Sequence, residues 1–273
     1  MSAWINGRQS TAIDWRDRGL QYGDGVFETM RVRGGTVRLL DYHLERLCAG
    51  CKKLQIPAPA PRLLRREIDR AAAVRREGIV KLIVTRGCGP RGYRPSGGAR
   101  GTRIVTQYPL ARGARREAAI PVRIRVCATR LGHNPALAGL KTLNRLESVM
   151  ACAEWRNPRV WDGLMRDVDE NIVCGTMSNL FLKRGSLLMT PALDRCGVAG
   201  VMRRWVLERA HELQLRPVER RIRWRDLVAA DEVFMTNAVV GMRSVAVIEC
   251  GRKRLRFMQF DAAEQLRLRL DPL

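Results

Sequence analysis

Histidine, lysine and aromatic residues are scarce in this chain, and the common short catalytic motifs are missing from it. Its 273 residues hold three histidines, six lysines and 5% aromatics. His43, His133 and His211 stand apart, without the HxxxH or HExxH spacing that sets two ligands on one helix face, so the sequence carries no zinc signature and no metal is expected. There is no GxxxxGK[ST] loop, no GxGxxG turn and no GxSxG elbow. Gly23-Asp24-Gly25 is too short to cradle a phosphate alone. With these devices absent, any chemistry needs a cofactor. No stretch approaches the roughly 18 consecutive apolar residues of a membrane span, and residues 1–8 show no apolar signal-peptide run. The expectation is a cytoplasmic protein with no membrane partner.

What the chain does have is positive charge, +23 at neutral pH, nearly all of it arginine. Such a charge suits a polyanion partner, but the arginines are spread through every segment instead of forming a tail. The few aromatics offer no evident surface for stacking bases. An arginine-rich composition that also attracts an anionic small-molecule substrate explains the charge better than nucleic acid does. Eight cysteines scattered over this length are not a disulfide framework. Cys48 and Cys51 have CxxC spacing, but they fall well inside an expected helix at 41–55, whereas a redox pair opens a helix. Packing in a core is the simpler reading.

Periodicity outlines an α+β chain in two domains. Trp4 and Ile5 lead into an Asn6-Gly7 turn. Residues 26–32 read as a strand, Gly34-Gly35 as a turn and 36–40 as the returning strand. Asp41 is the expected N-cap of a helix whose stripe is Leu44, Leu47, Cys51 and Leu54. A second helix is expected at 62–76, strands at 79–86 and 103–108, and a glycine-rich loop between those strands running to Gly101. The polar, basic stretch 110–119 reads as a linker, separating a smaller domain at 1–109 from a larger one at 120–273. Beyond it come a strand at 122–128, an amphipathic helix at 140–155, short strands from 161 to 190, a helix at 201–213, and strands near 217–221, 232–236 and 244–248.

Lys141 falls at the start of the helix expected at 140–155, with Arg145 four residues on. A helix N-terminus and a nearby cation both disfavour the ammonium form, and a lowered lysine pKa favours imine chemistry. Taken alone, a lysine at a helix start is usually a solvated surface group.

The residues around it carry a resemblance. Arg130-Leu131-Gly132-His133-Asn134-Pro135, leading into Ala138-Gly139-Leu140-Lys141-Thr142-Leu143-Asn144-Arg145-Leu146-Glu147, resembles the lysine segment of aminodeoxychorismate lyases. These are fold-type IV enzymes using pyridoxal 5'-phosphate (PLP), related to branched-chain and D-amino-acid aminotransferases. Tyr22-Gly23-Asp24-Gly25-Val26-Phe27-Glu28-Thr29, His43-Leu44-Glu45-Arg46-Leu47, Arg86-Gly87 through Arg91-Gly92-Tyr93, Ser178-Asn179-Leu180-Phe181, Gly197-Val198-Ala199-Gly200-Val201-Met202-Arg203 and Asp231-Glu232-Val233-Phe234-Met235-Thr236-Asn237-Ala238 resemble further family segments, in order, over nearly the whole chain.

The resemblance implies a two-domain, D-amino-acid aminotransferase-like fold and a homodimer. It implies that Lys141 bonds PLP and acts as the base, in the larger domain, and that Thr29 lies near the reacting face. Arg46, as a permanently charged fork, and the backbone amides of Val201 and Met202 at a helix start suit the phosphate dianion, with Thr236 and Asn237 closing around it. Arg91 and Tyr93 would take a substrate carboxylate, and Asn144 would orient the lysine or a cofactor hydroxyl. The implied reaction converts 4-amino-4-deoxychorismate to 4-aminobenzoate and pyruvate, a step of folate synthesis.

One position departs from the family. A glutamate normally stands five residues before the Asn of Asn-Leu-Phe and keeps the pyridine nitrogen protonated; here it is Cys174. A neutral thiol cannot stabilise a pyridinium as a carboxylate does. Cys174 should therefore weaken activity and penalise transamination more than elimination. Asp169 and Glu170 are close in sequence but are not expected to reach the ring. Three rivals follow: a D-amino-acid or branched-chain aminotransferase, because the fold hosts both chemistries; a largely inactive PLP-binding relative; and, from another class, a basic nucleic-acid-binding protein.

Overall fold

A computed structural model describes residues 2–95, 100–110 and 120–270. The chain forms two compact units, Met1–Arg112 with Leu140–Asn144 and Gly113–Gly139 with Arg145–Leu273.

The first unit is a six-stranded antiparallel sheet with helices packed on one face. Its strands are β1 (Ser2–Ile5), β2 (Arg8–Gln9), β3 (Gly25–Arg33), β4 (Thr36–Val37), β5 (Glu77–Thr85) and β6 (Arg103–Pro109), in the order β2-β1-β6-β5-β3-β4. Asn6 and Gly7 both take positive φ, 51° and 81°, as the tight β1–β2 hairpin requires. The helices are α1 (Arg18–Tyr22), α2 (Leu40–Lys53) and α3 (Pro61–Ala73). Helix α3 begins on Pro61, whose missing N–H costs nothing there, and buries Leu64, Ile68, Ala71 and Ala72 at helical spacing. Helix α2 starts one residue earlier than expected, with Leu39 in the left-handed region (φ 54°) as N-cap and Asp41 in the first turn. Its buried stripe is Leu40, Leu44, Leu47 and Cys51, together with His43. Along β3, Val26, Glu28, Met30 and Val32 point into this core while Phe27 and Thr29 are half-buried on the other face. Glu28 is thus a carboxylate in an otherwise apolar row.

The second unit contains β7 (Val122–Leu131), β8 (Val160–Asp167), β9 (Ile172–Gly175), β10 (Asn179–Arg184), β11 (Leu187–Pro191), β12 (Arg216–Arg220), β13 (Glu232–Asn237), β14 (Gly241–Cys250) and β15 (Lys253–Arg256). Strands β10, β13, β14, β7, β8 and β9 pair in sequence, and β9 pairs back onto β10, which closes a six-stranded ring. Its interior holds Ile124, Leu164, Leu180, Leu182, Met235 and Val245. The helices are α4 (Leu146–Cys152), α5 (Val201–Arg209), α6 (Trp224–Val228) and α7 (Asp261–Leu270), and α5 runs on into a 3-10 turn, Ala210–Leu213. Glu232, fully buried on β13, accepts the first amides of α7 from Ala262 and Ala263, both at 2.9 Å.

The helix expected at 140–155 is the main departure. Only α4 is helical, and residues 140–144 are not helical, with a bridge at Thr142 and a bend at Leu143. Phe27 N donates to Lys141 O and Leu143 N donates to Gly25 O, both at 3.0 Å, and Thr142 forms an antiparallel bridge with Val26. Those are the backbone groups a helix would have used. The segment therefore belongs to the first unit, and Lys141 is not in the larger domain where the sequence reading put it. Residues 96–99 of the expected loop and 111–119 of the expected linker lie outside the described residues.

Candidate active site

The Lys141 side chain is held against β3. Its Nζ lies 4.3 Å from the centre of the Phe27 ring, and Lys81 Nζ lies 5.1 Å from the same centre. Aromatic faces attract cations, so Phe27 gathers two amines on the half-buried face of the sheet. Thr29 is two residues along the same face and pairs in register with Lys81. Because Lys141 is not at a helix start, the helix-dipole argument for it does not apply, nor does a shared helix face with Arg145.

On the opposite face of β3, Glu28 joins two residues of α2. Arg46 donates through Nε to Glu28 Oε1 at 2.8 Å and through Nη2 to Oε2 at 2.5 Å. His43 Nδ1 lies 2.6 Å from Glu28 Oε2. Glu28 and His43 are each 1% exposed. Burial alone would raise the Glu28 carboxyl, but the Arg46 charge and the His43 and Arg46 hydrogen bonds outweigh it and hold the group at about 2 instead of 4.5. Burial pushes His43 down, and the like charges of Arg46 and Lys141 push the same way, against Glu28. His43 is therefore neutral near pH 7 and donates from Nδ1.

A pH dependence follows from Glu28. Its folded-state pKa lies below its unfolded value, so its stabilising contribution is complete above about pH 4.5 and is lost as pH falls towards 2. Thermal melts of Glu28→Gln should show a shallower fall of Tm between pH 5 and 3 than wild type. Parallel curves for the two proteins would refute this.

Asp24 anchors the loop that carries Arg91 and Tyr93. Arg86 donates Nε to Asp24 Oδ2 at 2.7 Å, and Arg18 donates Nε to the same oxygen at 3.0 Å. Burial opposes the ionised form of Asp24, but these bonds to Arg86 and Arg18 win and lower its pKa. Arg18, itself buried, then donates to the carbonyls of Gly92 and Tyr93 at 2.8 and 3.0 Å and lies over the Tyr22 ring, whose hydroxyl accepts Gly92 N–H. Tyr93 meets Tyr22 edge to face and is otherwise open, at 88% exposure; Arg91 is also exposed. Asn144 is exposed and sits on Gly23, where an added Cβ would overlap its Oδ1. Gly23 also needs positive φ, 65°, to end α1.

The second unit holds the remaining candidates. Helix α5 begins at Val201 and Met202 with no side chain capping its first turn, so its leading amides suit an anion. The turn before it is fixed by Asn179, which donates Nδ2 to Val198 O at 2.8 Å and leaves no room for a Cβ on Gly200. Asn179 pairs in register with Thr236. The Thr236 hydroxyl is fully buried and has no hydrogen-bond partner among the described residues, an unusual state for a native polar group. Asn237 uses its Oδ1 to shape the following turn, accepting from Val239 and Val240 amides.

Cys174 is buried on β9, opposite Asn179 and Met165. Burial first, then the negative charge of Asp162, drives its thiol pKa up, so it stays protonated. Asp162 is fully buried on β8 and bonded to the hydroxyls of Ser178 and Thr176, both at 2.5 Å, and to the amides of Gly163 and Thr176. Asp169 pairs with Arg195, and Glu170 with Arg130 and Arg166.

Cys51, the inner residue of the CxxC pair, is buried, and burial together with Cys48 pushes its thiol up to about 12. A thiol in that state is unreactive. His133, Asp167 and Asp169 bring ligand atoms within 4.8 Å of one another, but Asp167 is taken by Asn171 and His133 and Asp169 by Arg195.

Sequence reasoning gave no role of their own to Phe27, Glu28 and Asn179, which it quoted only within motif runs, and did not single out Arg18 or Asp162. Glu28 was detectable as the one carboxylate of its strand run, between Val26 and Met30. Arg18 left no signal for its hold on the loop, because the two carbonyls it bonds there are 74 and 75 residues away.

The amino-transferase class IV family model matches residues 25–248 of the chain. An aminodeoxychorismate lyase of Vibrio harveyi is 36% identical over 93% of this chain and 94% of its own. A putative branched-chain-amino-acid aminotransferase of Methanocaldococcus jannaschii is 30% identical over 91% of this chain and 88% of its own. The crystal structure of 4-amino-4-deoxychorismate lyase from Pseudomonas aeruginosa superposes with a TM-score of 0.89 at 42% identity, covering 99% of both chains.

Proposed function

Because the chain belongs to the class IV amino-transferase family, we propose that it is a PLP-dependent lyase converting 4-amino-4-deoxychorismate to 4-aminobenzoate and pyruvate. The lyase reading is favoured over the aminotransferase one because the relatives bearing lyase names reach 36% and 42% identity over nearly the full length.

The residues fit the cofactor. The partnerless hydroxyl of Thr236 and the uncapped start of α5 are donors that a phosphate dianion requires. The Val201 and Met202 amides, Thr236 and Asn237 would hold the phosphate, and the family resemblance adds Arg46. When bound, PLP supplies an aldehyde that bonds covalently to an amine and a ring that accepts electrons from the substrate Cα.

Lys141 is the residue for that bond, and one observation carries the reading. Its backbone is tied to β3 through its own carbonyl and the Leu143 amide, and its Nζ lies over Phe27, so the amine is positioned before substrate arrives. As a neutral amine, Nζ accepts the Cα proton. The C–O bond to the enolpyruvyl group then breaks, the proton held by Nζ passes to the departing oxygen, and the enol becomes pyruvate while the substrate ring becomes aromatic, which favours the reaction. Arg91 offers a planar fork for a substrate carboxylate, with Tyr93 beside it, Thr29 lines the Phe27 face, and Asn144 orients the lysine segment. A homodimer, which the family resemblance implies, and a cytoplasmic location, which the lack of a signal-peptide run suggests, belong to the same proposal.

The test is product analysis with PLP-loaded protein. Pyruvate and 4-aminobenzoate should form in equal amounts from 4-amino-4-deoxychorismate, with no sustained oxo-acid production from D-alanine or a branched-chain amino acid plus 2-oxoglutarate. Steady oxo-acid production without pyruvate release would replace the lyase by an aminotransferase.

A further inference from the structure

We propose that Glu28 is a positioning residue for cofactor binding: its carboxylate fixes the direction of the Arg46 guanidinium, and His43 fixes the carboxylate in turn. This rests on the reading of Arg46 as a phosphate-binding group.

Three observations lead to it. The first is the cost of the arrangement. Glu28 occupies an inward position of β3 between Val26 and Met30, where an apolar residue would pack without desolvating a charge. Replacing a buried ion pair by well-packed apolar residues is often neutral or stabilising, so stability alone gives a weak reason for a carboxylate here.

The second is the shape of the contact. Arg46 meets Glu28 through Nε and Nη2, one to each carboxylate oxygen, at 2.8 and 2.5 Å. A two-point fork of this kind sets the plane of the guanidinium as well as its distance. A single contact would leave the group free to turn about its last side-chain bonds. The energy of a phosphate contact depends on N–H groups already pointing at the oxygens, so an arginine fixed in advance loses less entropy on binding.

The third is His43. An ionised carboxylate only accepts, so the 2.6 Å contact requires the proton on Nδ1. The ring is buried, and its Nε2 has no partner among the described residues. A neutral ring restrains Glu28 without adding a third positive charge beside Arg46 and Lys141, the two cations it already feels. Glu28 and Arg46 then cancel, and the arrangement stays rigid across the pH range where the carboxylate is ionised.

The experiment compares PLP with pyridoxal, which lacks the phosphate. Full-length protein is stripped of cofactor, and the dissociation constants of both compounds are measured by absorbance titration for wild type, Glu28→Gln and Arg46→Met. Wild type should prefer PLP strongly. Arg46→Met should reduce that preference by roughly 100-fold, and Glu28→Gln by about tenfold, with pyridoxal affinity unchanged, as expected for charge-assisted hydrogen bonds lost or misdirected. A purely structural role would weaken both compounds alike, and that result overturns the proposal. So does an unchanged preference in Glu28→Gln while Arg46→Met loses it. If Arg46→Met also keeps the full preference, the phosphate role of Arg46 itself is wrong. Should Glu28→Gln fail to fold, Glu28→Asp decides the matter: it keeps the charge but draws the carboxylate back from the fork, and it should show the same selective loss for PLP.

Discussion

Replacing Lys141 by alanine should leave a folded protein that binds PLP reversibly but no longer holds it covalently, with pyruvate release down by roughly 10²–10⁴-fold, the usual cost of losing a positioned acid–base group. The fold should survive because the backbone bonds of the segment, Phe27 N to Lys141 O and Leu143 N to Gly25 O, do not depend on the side chain. Borohydride reduction followed by peptide mapping identifies the amine. Lys81 is the informative competitor, since its Nζ is also beside the Phe27 ring. Lys81→Ala should keep the visible absorbance of the bound cofactor, while Lys141→Ala should lose it. Label on Lys81 in wild type, or on no lysine, would end the proposed chemistry.

The second large effect is expected at Cys174. The Cys174→Glu variant should raise lyase turnover by roughly tenfold, equivalent to about one pKa unit of differential stabilisation of a protonated pyridine nitrogen, and should raise transamination by more. The surroundings make this demanding. Asp162 already places a negative charge near the thiol, and Arg145 is the cation whose charge is felt there. Burial lowers the Arg145 pKa, so a carboxylate at 174 would gain an ionised partner and relieve that penalty, while Asp162 would oppose it. A cost of about 1–3 kcal/mol in stability is expected for the added buried polar group, visible as a lower Tm. Cys174→Ala is the control and should keep near-wild-type turnover, because a protonated thiol contributes no charge. Unchanged or reduced turnover in a folded Cys174→Glu protein would refute the account.

Much of this was legible in the sequence because the signals are local. The Asn6-Gly7 hairpin, the Leu44–Leu47–Cys51 stripe of α2 and the Leu64–Ile68 stripe of α3 are set by spacing within a dozen residues. The motif runs singled out Lys141 and Arg46 as candidates through residue identity, and they marked the start of α5 at Val201. Two kinds of feature escaped. One is the secondary structure of residues 140–145, whose helical periodicity is real but whose backbone groups are claimed by β3, a strand more than a hundred residues earlier. The other is the polar core. Nothing near Glu28 in sequence says that His43 and Arg46 will meet it, because the pairing depends on α2 lying across that face of the sheet. Helix α7 was also missed; its Leu266-Arg267-Leu268-Arg269-Leu270 run alternates with a period of two and hides the stripe of Ala262, Ala263 and Leu266.

The segment Leu140–Asn144 makes the first unit discontinuous in the chain. A gene fragment cut at the first boundary, after Arg112, would produce an amino-terminal half short of five residues and a carboxy-terminal half carrying five that belong elsewhere. The Phe27 amide and the Gly25 carbonyl would then lose their partners in the isolated amino-terminal half. Permutation or split-reporter designs on this scaffold therefore need to keep β3 and the lysine segment on one polypeptide, or to supply that short segment again as a peptide.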